Sequence, residues 1–182
     1  PLRGIGYRSA GRQVDHRFEN GAGRGVRRNV LHSALVARAV ELGVSFVAAK
    51  ATALQQDADG VVAGGIRARY LIGADGLHST VRSLLGVERP PSKGRRYGLR
   101  QHFRVEPWSE LVEVHWTPTV EAYVTPVGGG VVGVALLGRQ GMDYAGSLAA
   151  IPSLASRLDG ATAAITLRGA GTHATTISSA GN

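Results

Sequence analysis

Residues 72–82, with the sequence IGADGLHSTVR, combine the residue types that a ligand-contacting turn needs. An apolar run ends at Gly73, and Asp75 lies between that glycine and Gly76, ahead of a predicted helix. Glycines allow another backbone or a ligand to come close, and an aspartate can accept hydrogen bonds from ribose hydroxyls or fix the loop. Ser79 can cap the helix that follows. Taken alone, a G-x-D-G turn is more often an ordinary tight turn, so both interpretations stay open.

A second candidate is an arginine at the start of a predicted helix. Residues 29–42 place apolar side chains at helical spacing, and Gly43 follows as a terminal cap. Arg28 comes immediately before this run, where unpaired N–H groups and a guanidinium would both favour a phosphate. A solvated arginine in a basic loop is the alternative, and Arg27 is the neighbouring candidate.

Other kinds of chemistry lack the residues they require. The sequence contains no Cys, which excludes disulfides and thiolate metal sites. The histidines show no metal-like spacing with carboxylates, and no serine lies in a G-x-S-x-G motif. We therefore expect no metal site, and the pattern identifies no catalytic acid, base or nucleophile.

The charge is strongly positive, with 21 Lys and Arg against 13 Asp and Glu. Such a surplus can attract nucleic acid, anionic membranes or phosphate-bearing cofactors. However, Lys50 and Lys93 are the only lysines, an arginine bias typical of GC-rich coding sequence, and the densest basic clusters lack interleaved aromatic residues. We expect no specific nucleic-acid partner. A non-enzymatic basic remnant that binds nucleic acid or other polyanions remains the alternative.

The elements that must position these residues fall into two parts. The first part is expected to contain a short strand or hairpin within residues 4–14, the helix described above, several strands and a short helix after Asp75. The strands are predicted at residues 44–47, 51–54, 60–63 and 66–72, with a turn at 57–60, and the short helix at 79–85. Residues 90–96 are rich in Pro and Arg and are predicted to link two lobes.

The second part is rich in β-strand patterns. Strands are predicted at residues 99–105, 111–116, 120–124 and 131–137, with a glycine turn at 128–130. We expect them to form an antiparallel sheet with one face packed and one face open. Residues 144–158 are expected to be helical with a break at Pro152, and residues 169–182 to form a disordered tail.

The whole string at 72–82 resembles the G-A-D-G-x-x-S-x-V-R signature of FAD-dependent monooxygenases and geranylgeranyl-reductase-like flavoproteins, at every position of that signature. Residues 25–35, followed by 41–44, are similar to the arginine-then-leucine helix of the same family. The resemblance covers about residues 4–168. It implies FAD as the cofactor, NAD(P)H as the reductant, and either hydroxylation or reduction of a double bond in a small apolar or aromatic substrate.

The resemblance also implies roles for particular residues. Arg28 would meet the phosphate and ribose region of FAD, the turn with Gly73, Asp75 and Gly76 would contact the cofactor, and adenine would lie near Thr52.

A further part of the resemblance concerns the substrate pocket. The strand with Tyr123 and Pro126 is similar to an aromatic-x-x-Pro strand that approaches the flavin ring in the reductase branch. Val124 stands where that branch typically has Trp, and Tyr123 is interpreted either as a pocket wall or as sheet packing. The paired-Trp motif of the halogenase branch is absent, since Trp108 and Trp116 are too far apart.

Two family motifs have no counterpart in the sequence. No G-x-G-x-x-G opens a strand-turn-helix unit, and the later G-D-A motif is missing. We therefore expect an internal fragment of the α/β (α+β) class: a partial FAD-binding Rossmann-like lobe at residues 1–90, then an antiparallel β-sheet substrate domain at residues 97–168. Such a fragment is expected to be cytoplasmic, without a transmembrane segment, and unable to retain FAD or catalyse turnover alone.

Overall fold

The computed structural model describes residues 1–88 and 96–172. The described residues form two compact units, one made of residues 1–39 and 96–172 and the other of residues 40–88. The predicted linker at 90–96 lies outside the described residues except for Arg96, which begins a strand. Residues 173–182 of the predicted tail also lie outside them.

Within the described residues, the larger unit is built on one mixed sheet of eight strands. The strand order is β10-β6-β9-β8-β7-β1-β2, and β11 also pairs with β6. The strands are β1 (Gly4–Ser9), β2 (Arg12–Arg17), β6 (Arg96–Arg104), β7 (Leu111–Trp116), β8 (Glu121–Pro126), β9 (Val131–Gly138), β10 (Thr162–Ala163) and β11 (Arg168–Thr172).

The four central strands, β6 to β9, confirm the predicted antiparallel sheet. Alternating apolar side chains favour half-buried strands, and short connections favour antiparallel neighbours. Gly128, Gly129 and Gly130 join β8 to β9, all with positive φ between 63° and 80°. Since side-chain-bearing residues rarely adopt that conformation, these glycines allow the tight reversal.

The predicted hairpin near the start of the chain is confirmed as β1 and β2, but it belongs to the larger sheet. β1 pairs in parallel with β7, with Gly4 opposite Leu111, and antiparallel with β2. The sequence prediction placed residues 1–90 in one domain; the structure groups residues 1–39 with 96–172 instead. The physical reason is hydrogen bonding between strands distant in sequence, which local patterns do not encode.

One face of the large sheet is buried under two short helices, α3 (Tyr144–Ala149) and α4 (Pro152–Ala155). Asp143 caps α3 by accepting hydrogen bonds from the amides of Ala145 and Gly146. Pro152 occupies the first turn of α4, where its missing N–H costs nothing. This arrangement confirms the helical region with a break at Pro152. The buried cluster under the helices contains Phe103, Ala122, Val124, Val132, Val134, Leu136, Tyr144, Ile151, Leu154 and Leu158.

The predicted long helix is confirmed as α1 (Arg28–Glu41). Gly43 follows it with φ of 78°, which suits the cap predicted there. No residue of α1 is buried, and its apolar residues Val30, Leu31, Leu35 and Val40 are exposed.

The smaller unit contains a three-stranded antiparallel sheet and one short helix. The strands are β3 (Leu54–Asp57), β4 (Gly60–Ala63) and β5 (Ile66–Ala68), and the helix is α2 (Thr80–Leu84). The predicted turn between β3 and β4 is confirmed, because Asp57 Oδ1 accepts a hydrogen bond from the Asp59 amide at 3.0 Å.

Several predicted strand boundaries are wrong. Residues 44–47 form no strand, the strand predicted at 51–54 begins only at Leu54, and the strand predicted at 66–72 ends at Ala68. Phe46, Tyr70 and Ile72 are exposed. An apolar run becomes a strand only when a neighbouring strand takes its backbone hydrogen bonds, and these segments pair with none among the described residues.

The predicted disordered tail is wrong for its first residues, since residues 168–172 form β11 against β6. Small and polar residues suggested disorder, but backbone pairing with an available strand edge needs no large side chains. Among the described residues, no helix has both the length and the apolar character needed to cross a membrane.

Candidate cofactor and substrate sites

Asp75 is held by the start of α2. Its Oδ1 accepts a hydrogen bond from the Ser79 hydroxyl, and its Oδ2 accepts one from the Val81 amide at 3.0 Å. Ser79 Oγ in turn accepts from the Arg82 amide at 3.0 Å, so Ser79 is the helix cap predicted from the sequence. The hydrogen bond from Ser79 and the backbone amides hold the pKa of the Asp75 carboxyl below its ordinary value. In this structure the carboxylate therefore fixes the turn.

The two glycines of this turn have different surroundings. Gly76 has φ of 83°, and a Cβ built there would meet no atom within 4 Å. A Cβ at Gly73 would lie 2.9 Å from Val81 Cγ1, so this glycine allows α2 to pack close to the preceding segment. Gly76 thus leaves room beside the backbone, and Gly73 sets the spacing within the turn.

Gly73 and Gly76 line a cleft of about 970 Å³ within the smaller unit. Arg69, Arg82 and Asp57 also line the cleft. Asp57 is engaged by the Arg67 guanidinium through two hydrogen bonds of 2.8 and 3.1 Å, and this guanidinium lowers the pKa of the Asp57 carboxyl. Arg69 was not among the residues predicted from the sequence, whereas Arg82 is the arginine that ends the signature at 72–82. No sequence pattern indicated that Arg69 lies in this cleft, because the cleft forms only when β3–β5 fold against residues 69–87.

Arg28 is the first residue of α1 and is exposed. The first turn of the helix contains no acidic residue, so the positive end of the helix dipole is not neutralised there. The carbonyl of Arg27 accepts hydrogen bonds from the amides of Val30 and Leu31, which begins the helix. Unpaired N–H groups at a helix N-terminus favour an anion.

Thr52 lies in an exposed segment without regular secondary structure, two residues before β3. The structure brings Gly73, Asp75 and Gly76 together in one turn. Arg28 belongs to the larger unit and Thr52 to the smaller one.

Tyr123 lies on the face of the large sheet opposite the buried cluster. Its hydroxyl donates a hydrogen bond of 2.6 Å to Glu121 Oε2, and Arg96 lies 2.9 Å from Glu121 Oε1. The hydrogen bond to the carboxylate raises the pKa of the Tyr123 phenol. The ring is half-buried and held in place. The sequence analysis did not single out Glu121, whose partner Arg96 is distant in sequence.

Pro126 ends β8, and its carbonyl lies against the loop before α1. A Cβ built at Gly25 would lie 1.7 Å from the Pro126 oxygen, so the loop backbone is in close contact with the strand end. The loop and the sheet meet here because position 25 carries no side chain.

The comparisons with known proteins agree with this fold. A sequence model described as the FAD binding domain matches residues 10–140. A Streptomyces rimosus protein named as a 12-dehydrotetracycline 5-monooxygenase and anhydrotetracycline 6-monooxygenase is 45% identical over 31% of this chain and 13% of that protein.

Solved flavoprotein structures share the fold at low sequence identity. A flavoprotein/dehydrogenase from Cytophaga hutchinsonii superimposes with a TM-score of 0.77 at 19% identity, covering 94% of this chain and 50% of that one. The flavin-dependent halogenase CmlS gives 0.79 at 18% identity, covering 93% and 37%. A geranylgeranyl bacteriochlorophyll reductase-like protein from Thermoplasma acidophilum gives 0.76 at 16% identity, covering 94% and 50%.

The chain spans half or less of the length of each of these relatives. The family match nevertheless extends over most of the chain, from β2 to the strand β9. The fold class and the resemblance found in the sequence are both confirmed. The chain belongs to the FAD-binding domain family of flavoprotein oxidoreductases and monooxygenases.

Proposed function

We propose that the chain is part of an NAD(P)H-dependent FAD monooxygenase or double-bond reductase that acts on a small apolar or aromatic molecule. The observation that carries this proposal is the FAD-binding domain match over residues 10–140. The substrate class is supported by the Streptomyces rimosus relative, which is named for reactions on 12-dehydrotetracycline and anhydrotetracycline.

Residues in both units have the chemistry that FAD requires. In the larger unit, the first turn of α1, which contains no acidic residue, and the exposed guanidinium of Arg28 suit a phosphate. In the smaller unit, the cleft offers the open backbone of Gly76 and the charges of Arg69 and Arg82. We propose that Arg28 contacts the phosphate and ribose region of FAD. For the smaller unit, we propose that the turn with Gly73, Asp75 and Gly76 contacts the cofactor and that adenine lies near Thr52. FAD, when bound, supplies the electron transfer, while the protein binds and orients it.

Asp75 has a positioning role in this proposal. Both of its carboxylate oxygens accept hydrogen bonds from the start of α2. By holding that helix start, Asp75 keeps Gly73 and Gly76 at the rim of the cleft. A carboxylate oxygen has more than one lone pair, so contact with a ribose hydroxyl is compatible with this role.

The exposed face of the large sheet is the proposed substrate surface. Tyr123 forms part of its wall, and Pro126 lies at the end of the same strand. The hydrogen bond to Glu121, itself paired with Arg96, fixes the phenol ring. A ring held in this way presents apolar surface to a ligand at a small entropic cost.

The test is a titration of the 182-residue chain with FAD, followed through backbone amide resonances. We expect shifts at Arg28, Thr52, Gly73 and Gly76, with affinity weaker than micromolar. The sequence contains neither the G-x-G-x-x-G nor the G-D-A motif, and the absence of each set of cofactor contacts costs a few kcal/mol of binding free energy. About 1.4 kcal/mol is a factor of ten in affinity. Arg28→Gln should weaken the shifts, whereas Arg12→Gln, an equal loss of charge on the exposed strand β2, should not.

Riboflavin is the matched control ligand, since it lacks the phosphates and the adenosine. It should leave the Arg28 amide unperturbed. If FAD shifted none of the four amides at millimolar concentration, the proposed cofactor contacts would be wrong. Saturable binding in the low micromolar range, abolished by Asp75→Ala, would show that these residues alone suffice to retain FAD, contrary to our expectation. The same samples should oxidise no NADH or NADPH.

A further inference from the structure

A row of side chains crosses the exposed face of the large sheet. The strand register places Arg100 opposite Ala135, Ala135 opposite Tyr123, Tyr123 opposite Val114, and Val114 opposite Tyr7. Neighbouring strands are about 4.8 Å apart, so Arg100 and Tyr123 are separated by roughly 10 Å with only an alanine between them. The row is basic at one end and aromatic at the other.

The aromatic end extends beyond Tyr123. Tyr7 stacks on Trp116 with ring centroids 5.4 Å apart, and Trp116 is 46% exposed. Both lie on the same face as Tyr123, since Trp116 is opposite Glu121 in the register. This end can contact flat, apolar molecules.

The basic end contains an imidazole beside Arg100. His102 lies opposite Gly133, and a Cβ built at Gly133 would be 3.0 Å from His102 Cδ2 and 3.1 Å from Nε2. The ring therefore lies close to the sheet, in space that a side chain at position 133 would take. The Nδ1 atom is buried and has no hydrogen-bond partner among the described residues.

A second guanidinium, that of Arg27, belongs to the loop before α1. Contact of Gly25 with the Pro126 carbonyl ties that loop to the end of β8. Arg100 lies two residues before His102 on the same face of β6, and the Gly25 contact holds the loop that carries Arg27 at the end of β8. Burial and then the charges of Arg100 and Arg27 lower the pKa of His102. The lowered pKa favours the neutral imidazole, which can donate or accept a hydrogen bond.

The cations at this end differ from Arg96, which lies on the same face. Arg96 is paired with Glu121 at 2.9 Å. Among residues 1–88 and 96–172, no carboxylate forms an ion pair with Arg27 or Arg100. Two unneutralised guanidiniums beside a neutral imidazole form an environment that favours an anion.

We propose that Arg27, Arg100 and His102 bind an ionised oxygen, a carboxylate or a phenolate, of an aromatic molecule whose ring lies over Ala135 towards Tyr123. This inference rests on the proposed function, since it defines the substrate class for the surface assigned there. It requires no cofactor for its test.

The experiment uses the 182-residue chain without FAD and the probe 2-naphthoate, with the uncharged 2-naphthamide as its isosteric control. Binding is followed through the imidazole resonances of His102, assigned with His102→Gln. We expect 2-naphthoate to bind, to shift these resonances and to raise the pKa of His102, because the bound anion offsets the nearby cations. Naphthamide should bind at least about tenfold more weakly, since it lacks the charge-assisted hydrogen bonds.

Variants separate this site from general charge effects. Arg100→Gln and Arg27→Gln should each weaken 2-naphthoate binding by about tenfold, while Arg12→Gln on the exposed strand β2 should not change it. All three positions are exposed, so the circular dichroism spectrum should stay unchanged.

Inorganic pyrophosphate distinguishes a substrate oxygen from a cofactor phosphate. Tighter binding of pyrophosphate than of 2-naphthoate at His102 would overturn the aromatic assignment in favour of a phosphate site. Equal affinity for 2-naphthoate and 2-naphthamide, no effect of Arg27→Gln and Arg100→Gln, or no binding of 2-naphthoate would overturn the proposal outright. Failure of the FAD titration would leave the naphthoate result unaffected, so the two proposals can fail separately.

Discussion

Single residues show where sequence patterns stop being informative. In β7 the alternation of Val112, Glu113, Val114 and His115 correctly predicts a strand, and it would place the charged side chains on the solvent side. In the structure Glu113 and His115 are both 6% exposed, and Val114 on the other face is 7% exposed. Glu113 and His115 lie on the face shared with Ala122 and Val124. Alternation fixes the two faces of a strand, but the partners brought by other elements decide which face is buried.

Glu113 is stabilised by groups that the sequence does not place near it. Its Oε2 accepts a hydrogen bond from Trp108 Nε1 at 3.2 Å and lies 3.1 Å from His115 Nε2. Arg8, on β1, is 3.9 Å from its Oε1. Burial would raise the pKa of Glu113, but the hydrogen bonds from His115 and Trp108 and the charges of His115 and Arg8 outweigh it, so the pKa is lowered.

We predict that Glu113→Ala lowers the free energy of unfolding of the larger unit by about 3 kcal/mol, because it leaves buried partners unpaired. A lowered pKa in the folded state means that the stabilisation by Glu113 is present above its ordinary pKa of 4.5 and is lost as the pH falls through the folded value. The difference between Glu113→Ala and the unchanged chain should therefore shrink below about pH 4.5. Chemical denaturation followed by Trp fluorescence measures both effects.

The matched control is Glu110→Ala, which removes an exposed carboxylate one residue before the same strand. It should change the free energy of unfolding by no more than about 0.5 kcal/mol. Equal effects of the two substitutions would show that the contacts of Glu113 with Trp108, His115 and Arg8 contribute nothing to stability beyond the net charge.

At the scale of elements, the sequence predicts those whose partners are close in the chain. The strands β6 to β9 are consecutive along the chain, and α1 is defined by its own periodicity and by Gly43. Local sequence patterns were therefore sufficient to predict these elements. Residues 44–47 carry an equally apolar pattern but form no strand. The glycine-flanked turn around Asp75 ahead of a helix was predicted correctly, but the strand predicted to lead into it ends at Ala68. The cleft beside the turn depends on folding against β3–β5 and was not predictable.

The loop before α1 depends on the missing side chain of Gly25. A Cβ there would lie 1.7 Å from the Pro126 oxygen, a distance that requires the backbone to move. We predict that Gly25→Ala destabilises the larger unit by about 1–3 kcal/mol, the usual range for overpacking. It should also separate Arg27 from His102, and the measured pKa of His102 should rise towards its ordinary value. Chemical denaturation and histidine resonance titration report the two effects.

Gly23→Ala provides the control in the same loop. A Cβ at Gly23 would lie 3.5 Å from Leu2 Cβ and from Phe18, which is ordinary contact. This variant should keep the stability and the His102 pKa of the unchanged chain. An unaltered His102 pKa in Gly25→Ala would mean that the loop does not place Arg27.

At the scale of the whole molecule, the two units differ in how much apolar surface they bury. All residues of the buried cluster belong to the larger unit, and none of the buried apolar residues found among the described residues lies in 40–88. Burial of apolar surface is the main stabilising contribution in folding. The smaller unit should therefore be the less stable one.

We predict unfolding in two steps that two probes report differently. Both Trp residues, Trp108 and Trp116, lie in the larger unit, so Trp fluorescence follows that unit alone. Far-ultraviolet circular dichroism follows both units and should begin to change at lower denaturant concentration. Glu113→Ala should move the fluorescence transition and leave the first dichroism step in place. Coincident transitions with both probes would show a single cooperative unit.

The parallel pairing of β1 with β7 delays completion of the sheet during synthesis of the chain. Residue 4 finds its partner only when residue 111 has left the ribosome. Ribosomes add roughly 5–20 residues per second, so the nascent β1–β2 hairpin waits on the order of ten seconds with one strand edge unpaired. During that interval the edge can pair with other nascent chains. Slower elongation between these positions would lengthen the exposure and lower the yield of correctly folded protein.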